Sequence, residues 1–99
     1  MPLGGIVVSR NLDAATASGV ERCVRRSIEY AFANPGHSVD FIAENARETD
    51  ASVTAEHIRL YVNNYSLSLG QEGRGAVERL LALARERKLT GSLPDRIFL

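Results

Sequence analysis

The sequence has no tryptophan, a single cysteine and no excess of either charge. One cysteine cannot form an internal disulfide, so we expect a protein of a reducing compartment rather than a disulfide-stabilised secreted protein. Twelve basic and twelve acidic residues give a net charge of zero. Because nucleic acids are bound by a basic excess, this balance argues against a nucleic-acid partner.

Long apolar runs are also missing, and a membrane-spanning helix needs about 20 apolar residues. The N-terminal stretch MPLGGIVVSR lacks the charged start and long apolar core of a signal peptide. We therefore expect a cytoplasmic protein with no membrane partner. Ninety-nine residues make one small domain or a piece of one. Three tyrosines and three phenylalanines are a thin aromatic core for an independent domain.

The chain begins with a short β-branched segment. Residues 2–5, Pro-Leu-Gly-Gly, have the composition of a turn or hinge, and Ile6, Val7 and Val8 then predict a strand. A lone strand cannot satisfy its own backbone hydrogen bonds. Since the rest of the chain offers no second strand, we expect an incomplete unit or pairing with another copy of the chain.

Four helices are predicted over residues 11–90, which makes the isolated chain mostly α. The first helix begins at Asn11 or Asp13, either of which can cap it, and ends near Asn34. The following Pro35 disfavours helical geometry in the residue before it. One apolar stripe on this helix consists of Val20, Cys23, Val24, Ile28 and Ala31.

The other three helices each follow a candidate capping residue. Asn34 precedes a short helix at about 35–46, and Asp50 precedes a third helix that runs through Val62. Ser68 and Gln71 have the spacing of a capping box for the fourth helix. The residues expected to be buried on the third and fourth helices are Ile58, Tyr61, Val62, Val77, Leu80, Leu81 and Ala84.

No residue pattern predicts a catalytic or metal site. Cys23 lies in an apolar stripe, which favours a buried structural thiol over a nucleophile. His37 and His57 have no cysteine, histidine or carboxylate at a metal-ligand spacing, so we expect surface roles for both. The glycines of SLGQEGRG lack the Gly-Lys-Ser/Thr ending of a phosphate loop. We expect the start of this helix to pack closely against another element. The alternative is that the helix start binds an anion with the help of Arg74.

Three stretches, in order, resemble one enzyme family. The run L-Y-V-N-x-Y-S-L-x-L-G-x-E-G-R-x-A-V-x-x-L-L at residues 60–81 resembles the C-terminal signature of bacterial 1,4-dihydroxy-6-naphthoate synthases. PLGGIVVSRNL, at residues 2–12, resembles the segment in which the family chain returns from its second lobe to its first. RRSIEYAFANP, at residues 25–35, resembles the helix that follows. The resemblance covers nearly the whole chain and fits these synthases better than the related chorismate dehydratases.

The resemblance implies a two-lobed α/β fold like that of type II periplasmic binding proteins, with substrate held between the lobes. It also implies a menaquinone-pathway lyase that converts cyclic dehypoxanthine futalosine to 1,4-dihydroxy-6-naphthoate, with a histidine base and no cofactor or metal. That base belongs to earlier family segments, and neither His37 nor His57 matches it. Gly4 and Gly5 are the candidate substrate-binding residues, with a hinge role as the alternative. Ile6 replaces the polar residue common in the family, which weakens any ligand contact there.

These observations predict a single C-terminal segment over residues 1–99, inactive alone. Its parts are a hinge and strand at 1–10, a four-helix region at 11–90 and a tail at 91–99 whose final Ile-Phe-Leu docks on an apolar surface. The expected partners are another copy of the chain or the missing N-terminal lobes, and a small-molecule substrate binds only in the full-length enzyme. The alternative is a free-standing helical protein-interaction module derived from the family.

Overall fold

The computed structural model describes residues 4–99 and is mostly helical, as the sequence predicts. The hinge assignment of residues 2 and 3 lies outside the described residues. No helix within 4–99 is both long enough and apolar enough to cross a membrane. The described helices are α1 (Ala14–Ala33), a 3₁₀ turn (Pro35–Ser38), α2 (Val39–Asn45), α3 (Ala51–Tyr61), α4 (Asn64–Leu67) and α5 (Gly70–Glu86).

The strand predicted at residues 6–8 is wrong. Residues 4–9 have no regular secondary structure, and the described part of the chain contains no sheet. The side chains of Ile6 and Val7 are 79% and 93% exposed. A strand exists only with a neighbour that completes its hydrogen bonds, and β-branched residues alone cannot supply one.

Close contacts divide the chain into two compact units. The first unit contains the described residues 4–19 together with Leu69–Leu99, and the second contains Val20–Ser68. Within the described residues one hydrophobic side chain is buried, that of Ala17, which is 4% exposed. Secondary structure in both units therefore depends mainly on local hydrogen bonds and helix caps.

The ends of α1 follow the predicted cap and stop. The Asp13 carboxylate accepts hydrogen bonds from the backbone N–H of Thr16 (2.9 Å) and from its hydroxyl (2.6 Å). At the other end the helix stops at Ala33, just before the Asn34-Pro35 pair. Asn34 occupies the cap position of the 3₁₀ turn, but its side chain makes no cap bond. Its amide instead donates to the Tyr30 carbonyl at 3.0 Å.

Asp50 caps α3 as predicted. Its carboxylate accepts from the hydroxyl of Ser52 at 2.6 Å, and from the backbone N–H groups of Ser52 at 2.8 Å and Val53 at 3.3 Å. Hydrogen bonds to the ionised form, first that of the Ser52 hydroxyl and then those of the two N–H groups, lower the pKa of the Asp50 carboxyl. The cap is thus strongest when Asp50 is charged.

The capping box predicted at Ser68 and Gln71 is wrong. The residue before α5 is Leu69, whose side chain cannot cap, and Gly70 then takes the left-handed φ of +61° that glycine tolerates. A capping box lies five residues earlier, at Asn63, where the short helix α4 begins. The Asn63 side chain accepts from the N–H of Tyr65 at 3.0 Å, and the Ser66 hydroxyl accepts from the N–H of Asn63 at 3.1 Å.

A reversal ends α5. Lys88 has a left-handed φ of 56°. The N–H of Leu89 donates to the Ala84 carbonyl at 2.8 Å, and the N–H of Lys88 donates to the Arg85 carbonyl at 2.9 Å. This pair of bonds is a Schellman motif, which satisfies the last carbonyls of a helix and turns the chain away from its axis.

Several side chains expected in a core are exposed. Ile58, Tyr61 and Val62 are 39%, 60% and 37% exposed, and Leu80 is 42% exposed. The Cys23 thiol, expected to be buried, is exposed as well. Apolar periodicity identifies the face of a helix that needs a partner, but it does not supply the partner.

We predict that replacing Asp50 with alanine frays α3 and lowers the thermal stability of the chain, because two N–H groups and the Ser52 hydroxyl lose their acceptor. Circular dichroism against temperature measures this change. Asp50→Asn is the matched control, since asparagine caps a helix about as well as aspartate. A stability loss as large in Asp50→Asn as in Asp50→Ala would contradict the role of the cap.

The Asp50 cap makes the stability of the chain depend on pH. In the folded state the pKa of the Asp50 carboxyl lies below the ordinary value of 3.8. The Asp50 contribution to stability is therefore complete above that value and is lost as the pH falls through the lowered folded-state pKa. The acid-induced loss of stability should be smaller in Asp50→Asn than in the unsubstituted chain.

Candidate functional site

The predicted substrate-binding residues, Gly4 and Gly5, lie in an exposed segment of the first unit without secondary structure. A Cβ atom added to either glycine meets no described atom within 4 Å. The described residues therefore do not crowd this backbone. Glycine there leaves the main chain open to the close approach of another group.

A groove begins three residues after the glycines in the chain, and we call it the tail groove. Its volume is about 270 Å³, and its lining combines apolar side chains with hydroxyl and guanidinium groups. The C-terminal tail supplies part of one wall. The lining residues are Val8, Ser9, Arg10, Leu12, Ala14, Ala17, Ser18, Arg96, Phe98 and Leu99.

Two arginine side chains contact the tail. The Arg10 guanidinium donates from Nη2 to the Arg96 carbonyl at 2.6 Å. The Arg74 guanidinium carbon lies 4.9 Å from the centre of the Phe98 ring, within the range of a cation–π contact. Arg74, which the sequence offered as an anion ligand, therefore contacts an aromatic ring of the tail.

A second cleft lies between α2 and α3, with a volume of about 530 Å³. His57 lines it, but its imidazole makes no hydrogen bond with a described residue. The carboxylate of Glu48, also in the lining, accepts the N–H of Asp50 at 2.9 Å. Nothing in this cleft pairs a base with a proton donor. Its lining residues are Ile42, Ala46, Arg47, Glu48, Thr54, His57 and Ile58.

Sequence reasoning missed a tyrosine–histidine pair in the second unit. The Tyr30 hydroxyl and Nδ1 of His37 are 2.5 Å apart, and the ring centres are 5.5 Å apart with a tilt of 53°. The turn at Asn34 produces this contact, because the N–H of His37 donates to the Asn34 carbonyl at 3.1 Å. The Asn-Pro dipeptide after Tyr30 was the available signal, since it predicts a turn that folds the next residues back toward the helix end.

The candidate residues are divided between the two units. Gly4 and Gly5 belong to the first unit, whereas His37 and His57 belong to the second. Among residues 4–99 there is no group of three or more histidine, cysteine, aspartate or glutamate side chains that could hold a metal ion. The described residues thus offer an accessible glycine backbone, two grooves and one tyrosine–histidine hydrogen bond.

Comparison with known proteins gives the family. Residues 1–86 match the family described as menaquinone biosynthesis. A 1,4-dihydroxy-6-naphthoate synthase of Thermus thermophilus is 38% identical over 98 residues, which cover 99% of this chain and 36% of that protein. A synthase of the same name from Streptomyces coelicolor is 36% identical over 98 residues, covering 98% of this chain and 35% of that protein.

The chain spans about a third of the length of these curated relatives. No solved structure shows significant similarity to it. The family match extends over most of the chain, and both relatives align with nearly all of it. This chain belongs to the menaquinone biosynthesis family.

Proposed function

We propose that this chain is the C-terminal portion of a 1,4-dihydroxy-6-naphthoate synthase, a lyase that converts cyclic dehypoxanthine futalosine to 1,4-dihydroxy-6-naphthoate. The observation that carries the proposal is the identity of 38% and 36% to two synthases along almost the entire chain. The order of the three family-like stretches at residues 2–12, 25–35 and 60–81 supports it. The enzyme acts in the cytoplasm, in the futalosine route to menaquinone.

In this proposal the chain completes a two-lobed, periplasmic-binding-protein-like fold and is inactive alone. The histidine base comes from family segments with no counterpart in these 99 residues, because His37 and His57 do not match it. The partner is therefore the remainder of the synthase, and the substrate binds in the assembled cleft. No cofactor or metal takes part. Exposed apolar side chains on α3, including Tyr61 at 60%, are consistent with faces that another part of the enzyme covers.

A chimera tests the proposed function. We expect the Streptomyces coelicolor synthase, with its matching 98 residues replaced by those of this chain, to release 1,4-dihydroxy-6-naphthoate from cyclic dehypoxanthine futalosine. The rate should lie within about tenfold of the parent rate, since altered interface contacts cost about 1 kcal/mol each. The parent without this segment is the control and should be inactive. A folded, monodisperse chimera that forms no product would overturn the proposal.

The assignment of Gly4 and Gly5 has a separate test. A methyl group at Gly5 meets nothing within the described residues, so Gly5→Ala should leave the unfolding temperature of the chain unchanged. In the chimera we expect the same change to raise KM about tenfold, the scale of one methyl group in a binding site, and to leave kcat unchanged. Gly91→Ala, at another open glycine, is the control. Equal KM values for Gly5→Ala and Gly91→Ala would refute substrate binding at this segment.

A second candidate is a free-standing helical interaction module, whose exposed apolar side chains a partner protein covers.

Under the first proposal, the chain in isolation self-associates through the segment at residues 6–8, because an unpaired backbone and a 93% exposed Val7 favour strand pairing. Light scattering with gel filtration measures the association. We expect Ile6→Lys to give monomers, whereas Leu89→Lys should not, although both side chains are 79% exposed. A monomeric unsubstituted chain would exclude self-association.

A further inference from the structure

The tail groove is where segments distant in sequence meet within the first unit. The Arg10 side chain and the Arg96 carbonyl are 86 residues apart in the chain, yet they form a 2.6 Å hydrogen bond. Phe98 lines the same groove as Val8, Leu12 and the buried Ala17. The chain immediately after the glycines is thereby attached to the C-terminal tail.

The tail itself is held from two further sides. Arg74, in the second turn of α5, places its guanidinium over the Phe98 ring. The Arg96 guanidinium donates from Nε to the Phe98 carbonyl at 2.9 Å, which closes the tail on itself. The Schellman motif at Lys88 turns the chain away from the α5 axis before the tail begins. These contacts attach the tail to α5 and to the segment before α1.

We propose that the tail at residues 95–99 is a clamp that positions the Gly4–Gly5 backbone for substrate, with Phe98 and Arg10 as its positioning residues. The substrate part of this inference rests on the proposed function. Neither residue contacts the reacting atoms. Each acts through the segment at residues 8–12, which the clamp holds beside the start of α1.

The physical need for a clamp comes from the glycines. Glycine loses more conformational freedom on ordering than any other residue, so a Gly-Gly segment without an anchor is poorly fixed. No inter-strand hydrogen bonds order the Gly-Gly segment, since residues 4–9 have no regular secondary structure. Anchoring Val8 and Arg10 restricts the segment from its C-terminal side. A pre-ordered segment then binds its ligand with a smaller entropic loss.

Backbone ¹⁵N relaxation of the 99-residue chain tests the clamp directly. We expect Phe98→Ala to lower the order parameters of residues 5–12 from the rigid range near about 0.85 to below about 0.6, and to leave those of α3 unchanged. Phe98→Tyr keeps a ring beneath Arg74 and should restore the rigid values. Leu89→Ala is the control, because Leu89 also follows α5 but is 79% exposed. Unchanged order at residues 5–12, or an equal loss in Leu89→Ala, would overturn the clamp.

The kinetic constants of the chimeric synthase test the positioning role of Phe98 and Arg10. Phe98→Ala and Arg10→Ala should each raise KM by about tenfold and leave kcat within about twofold, because the clamp affects substrate binding and not the chemical step. Phe98→Tyr should restore KM, which a loss of folding would not allow. If kcat falls instead and KM is unchanged, the positioning role is wrong. If Phe98→Ala loses order at residues 5–12 but the unsubstituted chimera has no activity, the two parts of the inference separate. The relaxation result then supports the clamp, and the missing activity overturns the proposed function together with the role in substrate binding.

Discussion

Local hydrogen bonding holds this chain together, because side-chain burial contributes little. Ala17 is the one buried hydrophobic residue among those described, and large apolar side chains such as Phe41 remain 70% exposed. Short helices without tertiary packing are marginal in water. The caps at Asp13, Asp50 and Asn63 therefore carry more weight here than in a protein with a full core, since each supplies acceptors that a helix start otherwise lacks.

The helices could largely be predicted from the sequence, because their starts and stops depend on neighbouring residues. Asp50 and the Asn34-Pro35 pair act within a few positions, and the structure places helix ends beside them. The start of α5 differs from the predicted one. Ser68 and Gln71 have capping-box spacing, but Asn63 takes that role for a separate helix, and a left-handed Gly70 then begins α5. When two possible helix caps lie a few residues apart, their spacing alone does not show which one forms.

Burial and strand pairing could not be predicted, because both need groups from elsewhere. The residues at 6–8 have strand propensity but no partner, so they form no regular structure. Cys23 is exposed as well. The Tyr30–His37 contact escaped prediction because a turn, not a helical repeat, brings the rings together. For the candidate site, the sequence could predict the open backbone at the two glycines, Gly4 and Gly5. The attachment of the following segment to Phe98 could not, since Arg10 and Arg96 lie at opposite ends of the chain.

The position of the contacts between distant segments indicates which part of the chain can serve function. Catalytic groups need a rigid surrounding. The hydrogen bond between Arg10 and Arg96, which are 86 residues apart, lies at the tail groove. This contact lies directly after the glycines and involves no histidine. A segment of this kind suits substrate binding better than proton transfer. Under the proposed function, the two tasks fall on different parts of the enzyme, with the base supplied by the remainder of the synthase and the backbone contact by this chain.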